Sequence, residues 1–238
     1  MRERIDLSVY VRALGVFARN PTVIVVPLLA MIVGVFVGEV SGVQGGGALG
    51  GFTTSIVGFI LLLLQIFSLG VAIIIGDAGW RRGTASFDAA WQEARAKSRD
   101  IVFAAFGLTF VFTIAQYAGS IVGFGTILMA IAAYGLIYTV AAAAIGGVPG
   151  GAAIGASVER VKSGPIAAAI LTVVTIVLVF FFGSFIGVWI DQWLLGALGG
   201  TSIVAAIVDA LLRSIFIGYV GIVMAKVYAD ASFSPPRW

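Results

Sequence analysis

FTTSIVGFILLLLQIFSLGVAIIIG, residues 52–76, runs without one charged side chain. A bilayer's hydrocarbon layer is about 30 Å thick, which about 20 apolar residues cross as an α-helix. The run is apolar on every helix face, so it has no side to turn toward water. In lipid, a single segment must satisfy its own backbone hydrogen bonds, and the helix does so. The run stops at Asp77, Trp80, Arg81 and Arg82, aromatic and basic residues that suit a membrane boundary. This one stretch decides the fold class.

Similar runs lie on both sides of it. The pattern predicts spans at about 22–39, 52–76, 101–122, 124–145, 166–190 and 203–228, within a single integral membrane domain over 1–238. Gly45-Gly46-Gly47, Gly123 with Gly125, and Gly146 to Gly151 punctuate the runs as turns. Residues 5–20 read as an amphipathic helix, with Leu7, Tyr10, Val11, Leu14 and Phe17 on one face and Ser8, Arg12 and Arg19 on the other. Such a helix lies in the interface plane, and Asn20-Pro21 ends it. A second surface helix is expected after Ser86, a suitable N-cap, with Phe87, Ala90, Trp91 and Ala94 on its apolar face. A third short helix closes on Glu159, Arg160 and Lys162. The expected fold is an all-α polytopic bundle of about six transmembrane helices with short amphipathic interfacial helices.

Composition agrees and excludes much chemistry. The chain is 61% hydrophobic and 11% charged, with a mean hydropathy of +1.12; soluble domains are about 25% charged. It has no cysteine and no histidine. Disulfides, thiolate nucleophiles, Cys/His zinc sites, His-ligated haem and Ser-His-Asp triads are therefore excluded. A carboxylate-only metal site stays open, but no catalytic, metal or cofactor site is expected, and no phosphate-binding loop occurs in a suitable context.

Charge placement orients the bundle. Of the fourteen Arg and Lys, all but Arg213 fall in the N-terminal segment, the second-to-third loop, the fourth-to-fifth loop and the tail. With six spans these share one side, which the positive-inside rule makes cytoplasmic for both termini. The expected location is the bacterial cytoplasmic membrane. The partners expected are the lipid bilayer and a membrane protein or second copy, with no nucleic acid. Arg81, Arg82, Arg95, Lys97 and Arg99 are candidate contacts to an anionic lipid surface. Two stretches match as R-x-K-S-x-x-I, Arg95 to Ile101 and Arg160 to Ile166. Each follows an amphipathic helix and opens a span. Duplication and chance similarity among basic flanks both account for the match.

Ionisable groups inside a bilayer are costly and mark candidate sites. Asp209 and Arg213, at i and i+4, can pair on one helix face. Two readings stand: a buried pair, or an outer surface helix over 201–212 with the span starting near Arg213. Gln65 and Gln116 lie deeper in their runs and suit interhelical hydrogen bonds or a solute path. Glu39, Asp77 and Asp191 stand at span ends, and Gly183 with Gly187 forms a G-x-x-x-G.

The layout Val11-Arg12-Ala13-Leu14, Phe17, Asn20-Pro21, then Phe87-Asp88-Ala89-Ala90-Trp91 and a closing Val227-Tyr228-Ala229-Asp230 resembles a known group. These are the bacterial six-span membrane proteins related to the membrane domain fused to some glycerophosphodiester phosphodiesterases. The likeness covers nearly the whole chain. Ser232 stands about where that group carries an arginine. The chain holds no soluble phosphodiesterase domain, so the resemblance implies the membrane fold and not the activity. The expected function is a non-enzymatic subunit or scaffold that organises lipid or a partner membrane protein. The alternative is a transporter or channel for a small or lipidic solute, with Asp209, Arg213, Gln65 and Gln116 near its path.

Overall fold

A computed structural model describes residues 6–41, 48–122, 124–182, 189, 192–193, 196 and 202–232. Every regular element among them is helical. The chain forms α1 (Ser8–Arg19), a 3-10 turn (Pro21–Ile24), α2 (Val25–Ser41), α3 (Ala48–Arg82), α4 (Phe87–Ala96), α5 (Ser98–Val122), α6 (Gly125–Leu136) and α7 (Thr139–Ala144). It continues as a second 3-10 turn (Gly150–Ala152), α8 (Ala153–Ser163), α9 (Pro165–Thr175), a π-helical segment (Ile176–Phe182) and α10 (Ser202–Ser232). Among the described residues, four stretches are long and apolar enough to cross a membrane: Ile56–Arg82, Ser98–Gly119, Gly125–Ala144 and Ala206–Ala231. Two bent pairs, Ser8–Arg19 with Pro21–Val37 at 94° and Gly150–Ser163 with Pro165–Val179 at 114°, bring the number to six if each is one span. The protein is an all-α polytopic membrane bundle.

One local device makes both bends. Asn20 has φ −130°, ψ 57° and Gly164 has φ −142°, ψ 68°, and each is followed by a proline at the first helical position. Proline starts a helix well and pushes the residue before it out of the α region. Ser86 does cap α4, its hydroxyl accepting from the Ala89 amide. The predicted fourth span divides at Ile137 and Tyr138 into α6 and α7. The predicted turn at 45–47, the G-x-x-x-G pair Gly183 and Gly187, Asp191 and the proline tail lie outside the described residues, as does the Glu39 side chain.

Helix order repeats three times: an amphipathic helix, then two apolar stretches. The triads are α1–α2–α3, α4–α5–α6/α7 and α8–α9–α10. Each amphipathic helix packs on the closing helix of the triad before it: α4 on α3, α8 on α7, and α1 on α10. The last contact joins the start of the chain to its end and closes a ring. The R-x-K-S match thus marks two of three helix triads.

The core lies at the ring. Val71 to Gly76 of α3, Leu136 to Ala144, and Val220 to Ala225 of α10 are buried without a break. Small residues let the backbones meet. A Cβ on Gly76 would lie 2.7 Å from the Ile222 Cα, and one on Gly221 would lie 2.7 Å from the Ala72 Cβ. A Cβ on Gly70 would meet Ile101 at the head of α5 at 2.7 Å. Gly70 is twelve residues, about 18 Å, from the end of α3. So α3 continues well past the level where α5 begins, and α1 and α4 pack against it.

α1 differs from its expected form. The predicted single apolar face splits in two. Tyr10 and Phe17 pack against the bundle beside the buried Val9, Ala13 and Val16, while Leu7, Val11 and Leu14 are 59%, 71% and 57% exposed. At 100° per residue these form adjacent sectors, with Arg12 and Arg19 in a third. A helix lodged where protein, lipid and water meet needs three faces, and a two-class hydrophobic pattern merges two of them.

Burial and the neighbouring Tyr219 push the Tyr10 phenol up to about 12. The Tyr219 hydroxyl donates to the Tyr10 carbonyl at 2.7 Å. A raised folded pKa means that this group's stabilisation is complete below its ordinary 10.0 and is lost as pH rises toward 12. An ultraviolet difference titration should show a late tyrosine component that Tyr10→Phe removes. An unchanged curve in that variant would place the phenol in water.

Candidate functional site

α10 is one continuous helix through residues 202–232. No proline or glycine interrupts 202–217, so nothing ends a surface helix before Arg213. Residues 202–212 run on into the span as one helix, without a break at Arg213. The Asp209 carboxylate meets the Arg213 Nε at 2.8 Å, with side-chain exposures of 21% and 37%. The contact is electrostatic rather than an aligned hydrogen bond, because Arg213 Nε and Asp209 Oδ1 are buried and have no hydrogen-bond partner among the described residues. Arg213 precedes Lys226 by thirteen residues, about 20 Å along the helix, and Asp209 by about 25 Å. Both therefore fall within one hydrocarbon thickness of the ring end.

Gly218 faces Val23 and Ile24 at the head of α2. Arg213 lies five residues earlier, about 140° around the axis, so the pair turns away from that side. α10 also packs on α9 and the π-helical segment. Thr175, the residue before that segment, has a buried hydroxyl oxygen without a partner among the described residues. π-helical turns occur often at functional sites. The candidate site is thus the Asp209–Arg213 pair, on the helix that also packs against α9 and the π-helical segment.

Gln65 is half-buried on α3, seven residues before Ala72 and hence on the stripe that meets α10. Gln116 is exposed on α5, and the structure does not bring it to the others. Two hydroxyls on α9 and α10 bond within their own helices: Thr172 donates to the Ala168 carbonyl and Ser214 to Leu211.

The five predicted lipid contacts divide. Arg82, Arg95 and Arg99 are exposed, and Arg99 lies 5.8 Å above the Phe103 ring centroid. Arg81 pairs with Asp77. Lys97 turns inward, donating to Glu93 at 2.7 Å and to the Ala144 carbonyl at 2.9 Å.

That last bond belongs to a set. Asn20 Nδ2 donates to the Gly83 carbonyl at 3.2 Å, and Arg160 donates to the Ala231 carbonyl at 2.5 Å. In each triad a side chain at or near the end of the amphipathic helix holds the C-terminal end of that triad's closing helix. Helix C-termini carry orphan carbonyls and partial negative charge, so donors and cations are favoured there. Asn20, Lys97 and Arg160 share no motif position, so sequence matching could not align them. Arg160 also stacks on Tyr228 at 5.1 Å, and the Trp80 indole donates to the Ile222 carbonyl at 2.9 Å.

Together these features define a class: an all-helical, multi-pass membrane protein whose amphipathic helices each pack on the closing helix of the preceding triad, with the Asp209–Arg213 ion pair inside an apolar helix. Comparison of the chain with protein-family models, curated proteins and solved structures finds no match.

Proposed function

We propose that this chain is a non-enzymatic subunit or scaffold of the bacterial cytoplasmic membrane, with six spans and both termini in the cytoplasm, organising lipid or a partner membrane protein. The observation that carries this reading is the lateral face of α5. Phe103, Phe106, Phe110, Ile114 and Tyr117 recur at helical spacing and are each at least half exposed. Phe106 stacks on Phe110 at 6.4 Å and takes Phe59 edge-on at 5.5 Å. Such a stiff aromatic ladder offers van der Waals contact to a facing helix, the main attraction available between helices in lipid. The cytoplasmic orientation is supported by the basic residues at the ring, from Arg12 and Arg19 to Arg160 and Lys162. Resemblance to the membrane domain fused to some phosphodiesterases supports the six-span count. A photo-crosslinking residue at Phe110 in the native host should yield an adduct with another protein or a second copy. Adducts with lipid alone at Phe106, Phe110 and Ile114 would overturn the reading.

Transport is the second reading, and the buried, unpartnered Asp209 oxygen, on the helix that packs against the π-helical segment, favours it. On that reading, Asp209→Asn should abolish solute-dependent growth or flux in a protein that still folds and inserts, as size-exclusion chromatography in detergent would check. A variant with unaltered flux would remove Asp209 from any path.

A further inference from the structure

A groove of about 390 Å³ runs between α2 and α3, with Leu29, Ala30 and Val33 on one wall and Leu64 and Phe67 on the other. Phe87 and Trp91 of α4 close one end, their rings stacked 6.4 Å apart at 7°. No lining residue is polar. On α4, Phe87, Trp91 and Arg95 form one stripe at i, i+4 and i+8, while Ala90 and Ala94 are buried against the bundle. The exposed Arg95 thus stands one turn beyond the groove's aromatic end, and Arg99 follows over the exposed Phe103 ring. An apolar slot with a cationic rim at one end matches an amphiphile of opposite charge. We propose that this groove binds an acyl chain of an anionic phospholipid from the cytoplasmic leaflet, with its phosphate held by Arg95 and Arg99. The inference rests on the lipid-organising part of the proposed function and on the cytoplasmic placement of α4. Methylene burial supplies affinity, and the arginines supply headgroup choice. Val33 and Leu29 are 45% and 57% exposed, so a large side chain at either can enter the groove without displacing buried atoms.

The full chain would be placed in nanodiscs of equal parts dioleoyl phosphatidylglycerol and phosphatidylcholine, extracted gently, and its retained lipid weighed by native mass spectrometry. One phosphatidylglycerol per chain is expected, preferred over phosphatidylcholine by roughly fivefold or more. Arg95→Gln with Arg99→Gln should bring the two lipids toward parity, and Val33→Trp should remove both. If Val33→Trp does not fold, Leu29→Trp fills the same groove. Retention without headgroup preference in the wild type, or undiminished retention in a folded tryptophan variant, would overturn the proposal. Crosslinking from Phe110 reports on a partner independently, so failure of the groove and failure of the scaffold reading are separable.

Discussion

Gly76→Val is expected to separate α3 from α10 and to lower stability by at least about 3 kcal/mol. The new Cβ would lie 2.7 Å from the Ile222 Cα and 3.2 Å from its nitrogen. These are backbone atoms of a buried helix, so no rotamer change relieves the contact. Valine also adds two methyl groups to a core of native packing density. Because this contact lies within the closed ring, the damage should spread to α1, which packs on both helices. Gly58→Ala is the control. Nothing lies within 4 Å of its Cβ position, and alanine in a helix is favoured over glycine by about 0.5–1 kcal/mol. Thermal unfolding in mild detergent should put Gly76→Val well below the wild type and Gly58→Ala level with it or above. A Gly76→Val protein as stable as the wild type would mean that α3 and α10 do not meet as described.

Asn20→Leu should have the next largest effect. Asn20 is 2% exposed, and its amide donates to Val16 and Gly83 carbonyls at 2.8 and 3.2 Å while accepting from the Ala85 amide at 2.6 Å. Leucine would fill the volume and leave the Gly83 carbonyl and Ala85 amide without partners, at about 1–3 kcal/mol each. The segment between α3 and α4, which turns at Gly83 with φ +83°, would lose its anchor to α1. Hydrogen exchange is the sharper readout: the Ala85 amide should exchange much faster in Asn20→Leu, while amides at 220–225 stay protected. Equal protection of Ala85 in both proteins would show that another group holds the turn. Asn20→Asp keeps the acceptor and loses the donor, so it should fall between the two.

The spans were legible because lipid imposes a simple rule. A helix surrounded by hydrocarbon must be apolar all round and about 20 residues long, and residues 56–82, 98–119 and 206–231 announce themselves on that criterion. The amphipathic helices were legible through their spacing, and Ser86 through its capping chemistry. The sectors of α1 were not, since hydropathy cannot tell a side chain against lipid from one against protein. The fate of Lys97 was hidden for a similar reason. A lysine near a membrane boundary reads as a lipid contact, yet Lys97 also reaches a helix-end carbonyl 47 residues away.

The candidate site divides in the same way. The i, i+4 spacing alone joined Asp209 to Arg213, because both partners ride on one helix. That α10, which carries the pair, meets the π-helical segment of another span is a matter of packing between distant parts of the chain. Likewise, the groove between α2, α3 and α4 joins residues from 26 to 91, and no local pattern brings them together. The amino-acid order is enough to specify the membrane class, the helical fold and the lack of cysteine and histidine chemistry. These follow from composition and local periodicity, which one helix at a time can satisfy. The ring of three triads, the glycine contacts at Gly76 and Gly221, and the roles of Asn20, Lys97 and Arg160 emerge when the helices pack. Those depend on which helices meet, and in lipid that choice rests on close shape fit and on partners for orphaned backbone groups, neither of which hydropathy records.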